Sequence, residues 1–266
     1  STHAKDEIIL IPVLCDDQRH ELNNELCFLF IKVVNQQVYY VISFNHNECI
    51  NIPKDFLSKL NSIKKYTYDK KKLLNIYPFK NIIDIKLLKY ISENSVEDLL
   101  PTYTTSHIEI LRRYSNIKNI NKAIPILKYY EELVPYANQM EKLIIENNQH
   151  INSGECFSLL NDLKIECLQQ IELHGLKVDE PVFLRHFPES KKHISNGFVH
   201  TQYNMYTATG RPSNRFGNIN YAALKYETGE RQSFISRFND DGILLMYDFE
   251  AYHLHLIADI VQYKFP

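Results

Sequence analysis

The chain has 266 residues, 44% of them hydrophobic and 23% charged, which describes a globular protein of one large or two ordinary domains and excludes a disordered or fibrous one. A formal net charge of -2 denies the molecule an overall basic footprint, so any nucleic-acid surface has to come from local clustering of Lys and Arg. The five cysteines (Cys15, Cys27, Cys49, Cys156, Cys167) are odd in number and form no Cys-x-x-Cys pair. This points to reduced thiols in a cytoplasmic setting and away from zinc or a disulfide framework, and neither a secretory leader nor a span-length apolar run is legible.

In chain order, Leu26–Ile31 and Val38–Ser43 are β-rich runs joined by Asn35-Gln36-Gln37, a hairpin turn. Pro53–Leu60 and Tyr68–Leu74 have helical periodicity; Ile82-Ile83 is a short strand, and Asp84 opens a helix through Tyr90. That order predicts a mixed sheet flanked by helices, an α/β (α+β) domain over residues 1–100. Residues 101–152 read as a helical linker, with periodic stretches Ile108–Tyr114 and Ile126–Ile145 punctuated by Asp98–Thr102, Asn116–Asn119 and Asn147–His150. Its cations, Arg112, Arg113, Lys118, Lys122 and Lys128, belong on solvated helix faces. Ser153 is expected to cap a helix whose apolar positions run from Phe157 to Ile171, and Gly175 to end it in a left-handed conformation. Leu176–Val178 then reads as a short strand, Asp179 as the start of a turn, and Phe198–Tyr206 as a longer strand.

The chemistry concentrates near the C-terminus. Tyr206-Thr-Ala-Thr-Gly-Arg-Pro-Ser213 is a tight turn at Gly210 bearing a phosphate-seeking guanidinium, Arg211. Glycine lets backbone approach a phosphate, and Arg and Asn side chains suit groove acceptors that all base pairs share. Gly242–Tyr247 is an apolar run expected to be a buried strand, delivering Asp248 and Phe249 to the start of a helix. An acidic residue so placed is suited to holding a divalent metal near phosphate.

Taken together, Thr207-Ala-Thr-Gly-Arg211, Asn218-Ile-Asn220, Arg231-Gln-Ser-Phe-Ile235 and Leu244-Leu-Met-Tyr-Asp248-Phe249 resemble the palm of family A DNA polymerases, the bacterial DNA polymerase I type, and the flanking residues resemble a bacteriophage branch. The resemblance is strongest from about Glu166 onward. It implies that residues 153–266 form the first part of a palm with a reduced thumb. It further implies that Thr209, Arg211, Asn218, Asn220 and Arg231 contact primer-template DNA, and that Asp248, with the Phe249 main-chain carbonyl, holds two Mg²⁺ ions. Tyr252 and His253 are implied to face the deoxynucleoside triphosphate, His253 standing where a Glu usually excludes ribonucleotides. His255 replaces an Arg, and simple packing is the expectation for the His253/His255 pair.

Upstream, Lys65-Tyr-Thr-Tyr-Asp69 and Ile83-Asp84-Ile-Lys-Leu-Leu-Lys-Tyr90 resemble the ribonuclease-H-like 3′–5′ exonuclease domain that precedes such a palm. The Asp-x-Glu of an active first strand has no counterpart in Phe28–Lys32, and no Tyr-x-x-x-Asp can be placed over Tyr129–Tyr136. The expectation is a degenerate domain without nuclease activity, in which Asp69 is a solvated helix-start carboxylate. The sequence stops at Pro266, shortly after Asp248. One carboxylate cannot hold two ions. Polymerisation therefore requires fingers and a second acidic motif from elsewhere, either the remainder of a longer polymerase or a second polypeptide. A non-catalytic DNA-binding remnant is the alternative. The implied setting is the cytoplasm of a phage-infected bacterial cell.

Overall fold

The computed structural model describes residues 6–94 and 107–264. The punctuation expected at Asp98–Thr102 and the boundary at residue 100 lie outside them. The first half is organised by a five-stranded sheet of β1 (Ile8–Leu14), β2 (Leu26–Val33), β3 (Tyr39–Ser43), β4 (Lys65–Thr67) and β5 (Ile82–Asp84), in the order β3-β2-β1-β4-β5. β1 is antiparallel to β2 and parallel to β4, and β4 is parallel to β5. This is the mixed, helix-flanked α/β sheet expected of residues 1–100. The run 28–32, read as the first strand, belongs to the second. β1 precedes it, and its sequence IILIPVL contains no acidic residue.

Alternation along β1 and β2 builds two cores. Ile9, Ile11, Val13, Phe28 and Phe30 face one side, where Tyr129, Leu133, Ala137 and Met140 of a long helix meet them. Ile8, Leu10, Leu29 and Ile31 face the other, against Leu57, Leu60, Leu73 and Ile76. Both faces being covered, β2 is buried at all eight positions and reads as an apolar run interrupted only by Lys32, whose ammonium pairs with Glu141 at 2.9 Å. Each apolar side chain of the strand contributes about 1.5–3 kcal/mol of burial.

Helices α1 (Lys70–Ile76) and α2 (Ile85–Glu93) start directly from the carboxyl ends of β4 and β5, each capped by an aspartate: Asp69 accepts from Lys72 N and Asp84 from Leu87 N. Residues 54–60, expected as a helix, form a 3₁₀ helix. Next come α3 (His107–Tyr114) and α4 (Ile126–Glu146). The segment expected to be a linker is instead a layer of the first domain, because Ile108, Ile124 and the apolar stripe of α4 are buried in the sheet's own core.

After α5 (Asn148–Ser153) and α6 (Glu155–Ser158), residues Leu159–Lys164 widen into a π turn before α7 (Ile165–His174). Gly154, rather than Ser153, occupies the cap position of α6. The π turn carries Asn161 inward, where it accepts from Asp84 N at 2.9 Å and donates to Ile82 O at 3.0 Å. Gly175 ends α7 at φ 64°, ψ 177°, and a Cβ there would meet the His200 ring at 2.9 Å, so glycine is required on both counts.

Two small sheets follow. β6 (Leu176–Lys177), α8 (Glu180–His186), β7 (Ile194–Ser195) and β8 (Phe198–Val199) come first, with β6-β8-β7 paired; Asp179 caps α8. The second sheet pairs β9 (Gln202–Asn204), β10 (Ser213–Phe216) and β11 (Ile219–Asn220). The strand expected over Phe198–Tyr206 is thus divided between the two sheets. Met205 and Tyr206 leave the ladder to join a third core with Leu87, Leu88, Phe157, Ile165 and Leu168.

The run 242–247 corrects a central expectation. It forms no strand, and its side chains are exposed, Ile243 at 78% and Tyr247 at 88%. No neighbouring strand among the described residues offers it a ladder, so its burial demand goes unmet. α9 (Tyr252–Ile260) begins four residues after Asp248, beyond Ala251 at φ 49°.

Candidate nucleic-acid interface

The Thr207–Arg211 turn is held from beneath. Gly210, at φ 70°, closes it through its N–H to Thr207 O at 3.1 Å, and Thr207 Oγ1 donates to Arg211 O at 2.8 Å. Tyr90 of α2 and Lys164 of the π turn then grip it. Tyr90 OH donates to Thr207 O at 2.8 Å, the Tyr90 and Tyr206 rings meet edge-on at 5.6 Å, and Lys164 Nζ donates to Gly210 O at 3.3 Å. Thr209 and Arg211 project from this anchored turn into solvent.

The other residues expected at DNA have local structural duties. Gly217 and Asn218, at φ 57° and 67°, form the two-residue turn between β10 and β11, so asparagine is explained there by backbone conformation. Asn220 Oδ1 is buried without a hydrogen-bond partner among the described residues. Arg231 is exposed, and its Nε donates to Leu224 O at 2.8 Å.

Asp248, Phe249, Tyr252 and His253 form a second, separate group. All are exposed, with Phe249 against Tyr252 at 5.7 Å and Tyr252 against His253 at 5.9 Å. Among the described residues, no hydrogen bond or ion pair joins this group to 207–231. An exposed carboxylate and one main-chain carbonyl do not fit a pair of Mg²⁺ ions, and no group of three His, Cys, Asp or Glu able to hold a metal occurs among the described residues.

What sequence reading missed is a buried polar junction between the sheet and residues 155–216. Asp84, fully buried, accepts from Lys70 N and Tyr206 OH, both at 2.9 Å, and from Leu87 N at 3.0 Å. Burial and the Asp69 charge push its carboxyl up to about 7, against the pull of those three donors. The Tyr206 hydroxyl is driven upward by burial and by Asp84. Glu172, also buried, takes Lys71 Nζ at 2.6 Å, Asn75 Nδ2 at 2.9 Å and Tyr203 N at 2.6 Å. Burial raises this carboxyl despite Lys71. His20 Nε2 meets Thr201 O at 2.9 Å, and Lys70 Nζ meets Glu166 at 3.0 Å.

Asp69 is half-buried rather than solvated. Burial opposes its ionisation, but Lys71, Lys72 and Lys86 outweigh that and hold its carboxyl below the usual range. The one signal that could have found the pair is register: parallel β4 and β5 align Thr67 with Asp84, bringing both helix-capping aspartates to one end of the sheet. A cavity of about 380 Å³ opens there, lined by Pro12, Val13, Tyr68, Asp69, Tyr136 and Met140 among others. Met140 is the fourth residue after Tyr136, so the Tyr-x-x-x-Asp pattern ends there in a thioether.

No known family's sequence profile matches the chain, and no curated protein matches it in sequence. Among solved structures it is similar to the POL domain of Pol1 from M. smegmatis in complex with DNA primer-template and dNTP, at 12% identity and a TM-score of 0.48 over 88% of this chain and 55% of that one. The chain thus spans about half the length of that domain. It is also similar to Brucella melitensis NrnC with bound Mg²⁺, at 15% identity and a TM-score of 0.39 over 66% of this chain and 89% of that one.

Proposed function

We propose that this chain is the exonuclease-like and first palm portion of a template-directed DNA polymerase of family A, of the phage-type branch, with its exonuclease-like domain inactive. In this reading Thr209, Arg211, Asn218, Asn220 and Arg231 meet the primer-template, Tyr252 and His253 face the deoxynucleoside triphosphate, and Asp248 with the Phe249 carbonyl supplies part of a magnesium site. The remaining ligands and the fingers come from further chain or from a second polypeptide.

The observation that carries it is the coexistence of an anchored Thr-Gly-Arg turn with an accessible Asp248, without an ion-pair partner among the described residues, on an uncovered apolar segment. Such a segment is what a sheet lacking its neighbouring strands leaves behind. A second reading, a non-catalytic DNA-binding piece, is favoured by the lack of a converging metal-ligand group among the described residues.

Primer extension by the chain supplemented with the polypeptide that copurifies with it separates the two. The polymerase reading expects template-directed addition that falls by more than about 100-fold in Asp248→Asn, beyond what loss of a group supporting a metal ligand costs. Addition that survives this change, or no addition with any copurifying partner, favours the binding piece. With dNTP and rNTP compared, His253→Ala is expected to relax sugar discrimination.

A further inference from the structure

β3 is an edge strand of the five-stranded sheet, and no strand flanks its outer side among the described residues. Val33 N–H donates to Val38 O at 3.0 Å and Phe44 N–H to Cys27 O at 2.9 Å, which fixes the phase of the β2–β3 ladder. Val38, Tyr40, Ile42 and Phe44 therefore turn their backbone groups toward β2, and Tyr39, Val41 and Ser43 turn theirs outward. Ser43 O accepts from Ile52 N–H at 2.9 Å, so the loop after β3 closes the edge at that end. Tyr39 and Val41 are left with N–H and C=O unpaired among the described residues.

The usual protections of such an edge are missing. From Val34 to Asn47 the chain carries no Asp, Glu, Lys, Arg or Pro, and the β2–β3 register runs without a bulge. Tyr40 is 56% exposed on the strand. On the other face Tyr39 is held by its hydroxyl, 3.0 Å from Asn138 Oδ1, and meets the Tyr130 ring of α4 edge-on at 5.9 Å. Tyr130 and Leu127, one turn before it, are themselves exposed. Edge and helix together form one uncharged, partly apolar flank.

We propose that β3 pairs antiparallel with β3 of a second copy of this chain, with the twofold axis through Tyr40. That register sets Tyr39 opposite Val41 of the other copy, and the two residues exchange N–H to C=O bonds on each side of the axis. Tyr40 faces its own copy as a non-hydrogen-bonded pair, with Cα atoms about 4.5 Å apart. Centring on Val41 would instead set Tyr39 against Ser43, whose carbonyl is already engaged by Ile52. A copy of an uncharged strand opposes no like charges, and it pairs aromatic with β-branched side chains. The added strand also brings apolar surface alongside Tyr130 and Leu127. Pairing of this kind covers both edges at once and stops at two chains. The inference uses no residue of the proposed polymerase site.

The test is sedimentation velocity of the full chain over a concentration series, joined to amide hydrogen exchange. A monomer–dimer equilibrium is expected. Exchange at the Tyr39 and Val41 amides is expected to slow as dimer accumulates, whereas Tyr40 and Ile42, bonded to β2 within each chain, stay slow throughout. Tyr40→Lys, an exposed change that sets two ammonium groups face to face, is expected to weaken the dimer by about tenfold or more, with the circular dichroism unaltered. Tyr40→Cys, with Cys156→Ser and Cys167→Ser removing the other exposed thiols, is expected to cross-link two copies under oxidised glutathione. Gln37→Cys in the same background is expected not to, because Ser43 is its partner in this register. A monomer at every concentration, a dimer indifferent to Tyr40→Lys, or equal cross-linking at both positions would each overturn the proposal. Association that yields instead to Leu244→Glu would belong to the uncovered segment 242–247, and concentration-independent protection of Tyr39 and Val41 to another segment of the same chain; either overturns it. Primer extension and its loss in Asp248→Asn bear on none of these readouts, so the two readings fail separately.

Discussion

The junction between the first sheet and residues 155–216, and the segment 243–263, stand at opposite extremes of partnering. At the junction, Asp84, Glu172, Asn161 and Lys70 are buried polar groups with several well-placed partners each. In the segment, Ile243, Met246, Tyr247, Phe249 and Ile260 are apolar and exposed. Polar groups that cannot be left unsatisfied dictate a single arrangement of the two halves. Apolar side chains left in water dictate nothing until something covers them. The chain has therefore invested its specificity where a rigid platform is required, and left open the edge where the proposed chemistry has to be completed.

The contrast can be broken from either side. The largest effect is expected for Asp248→Asn in supplemented primer extension, as above. Its thermal midpoint should stay close to that of the unaltered chain, because an exposed residue without an ion-pair partner among the described residues changes stability by no more than about 0.5 kcal/mol. A large loss of stability would mean that this aspartate has a structural duty. Glu172→Ala should behave oppositely. Stranding Lys71 and the Tyr203 N–H in a buried site is expected to cost about 3–5 kcal/mol in urea unfolding, and a cost below 1 would show that water enters the junction.

Tyr206→Phe removes one donor to Asp84 and is expected to cost about 0.5–1.5 kcal/mol. In a reconstituted enzyme it should also raise KM for primer-template, since Tyr206 abuts the turn that bears Arg211. A further effect is one of pH. The Asp84 carboxyl titrates near 7 when folded against an ordinary value of 3.8. Between those values the folded chain holds a proton that the unfolded chain has released. This group's contribution to stability therefore grows as pH falls from 7 and shrinks as pH rises toward it. Denaturation midpoints measured across that range should show the trend in the unaltered chain and lose it in Asp84→Asn; parallel curves would refute it.

Legibility followed the physics of each element. The β2–β3 hairpin was readable because β-branched and aromatic runs flank Asn35, whose positive φ of 61° makes the turn. β1 was obscured by Pro12, which argues against a central strand. It is accommodated because β1 pairs with β4 only at Ile8 and Ile9, so at Pro12 no parallel neighbour awaits an N–H. The run 243–247 was misread for the converse reason: hydrophobicity reports what a segment would bury, not whether a neighbour exists. The exposed arginines and Asp248 could be named from motifs, whereas the pairing of Asp84 with Tyr206 and of Glu172 with Tyr203 could not, because these partners lie 122 and 31 positions apart in the chain. The π turn escaped notice for the same reason, its cause being Asn161 bonding to β5.

That wide turn also limits how this protein can change. A residue lost from 159–164 would restore ordinary winding and take out the bulge that carries Asn161 inward. Asp84 N and Ile82 O would then lose their shared partner at the junction. Exposed positions of the stretch such as Leu159 and Leu163 are open to drift, whereas Asn161 and the length of the turn are not.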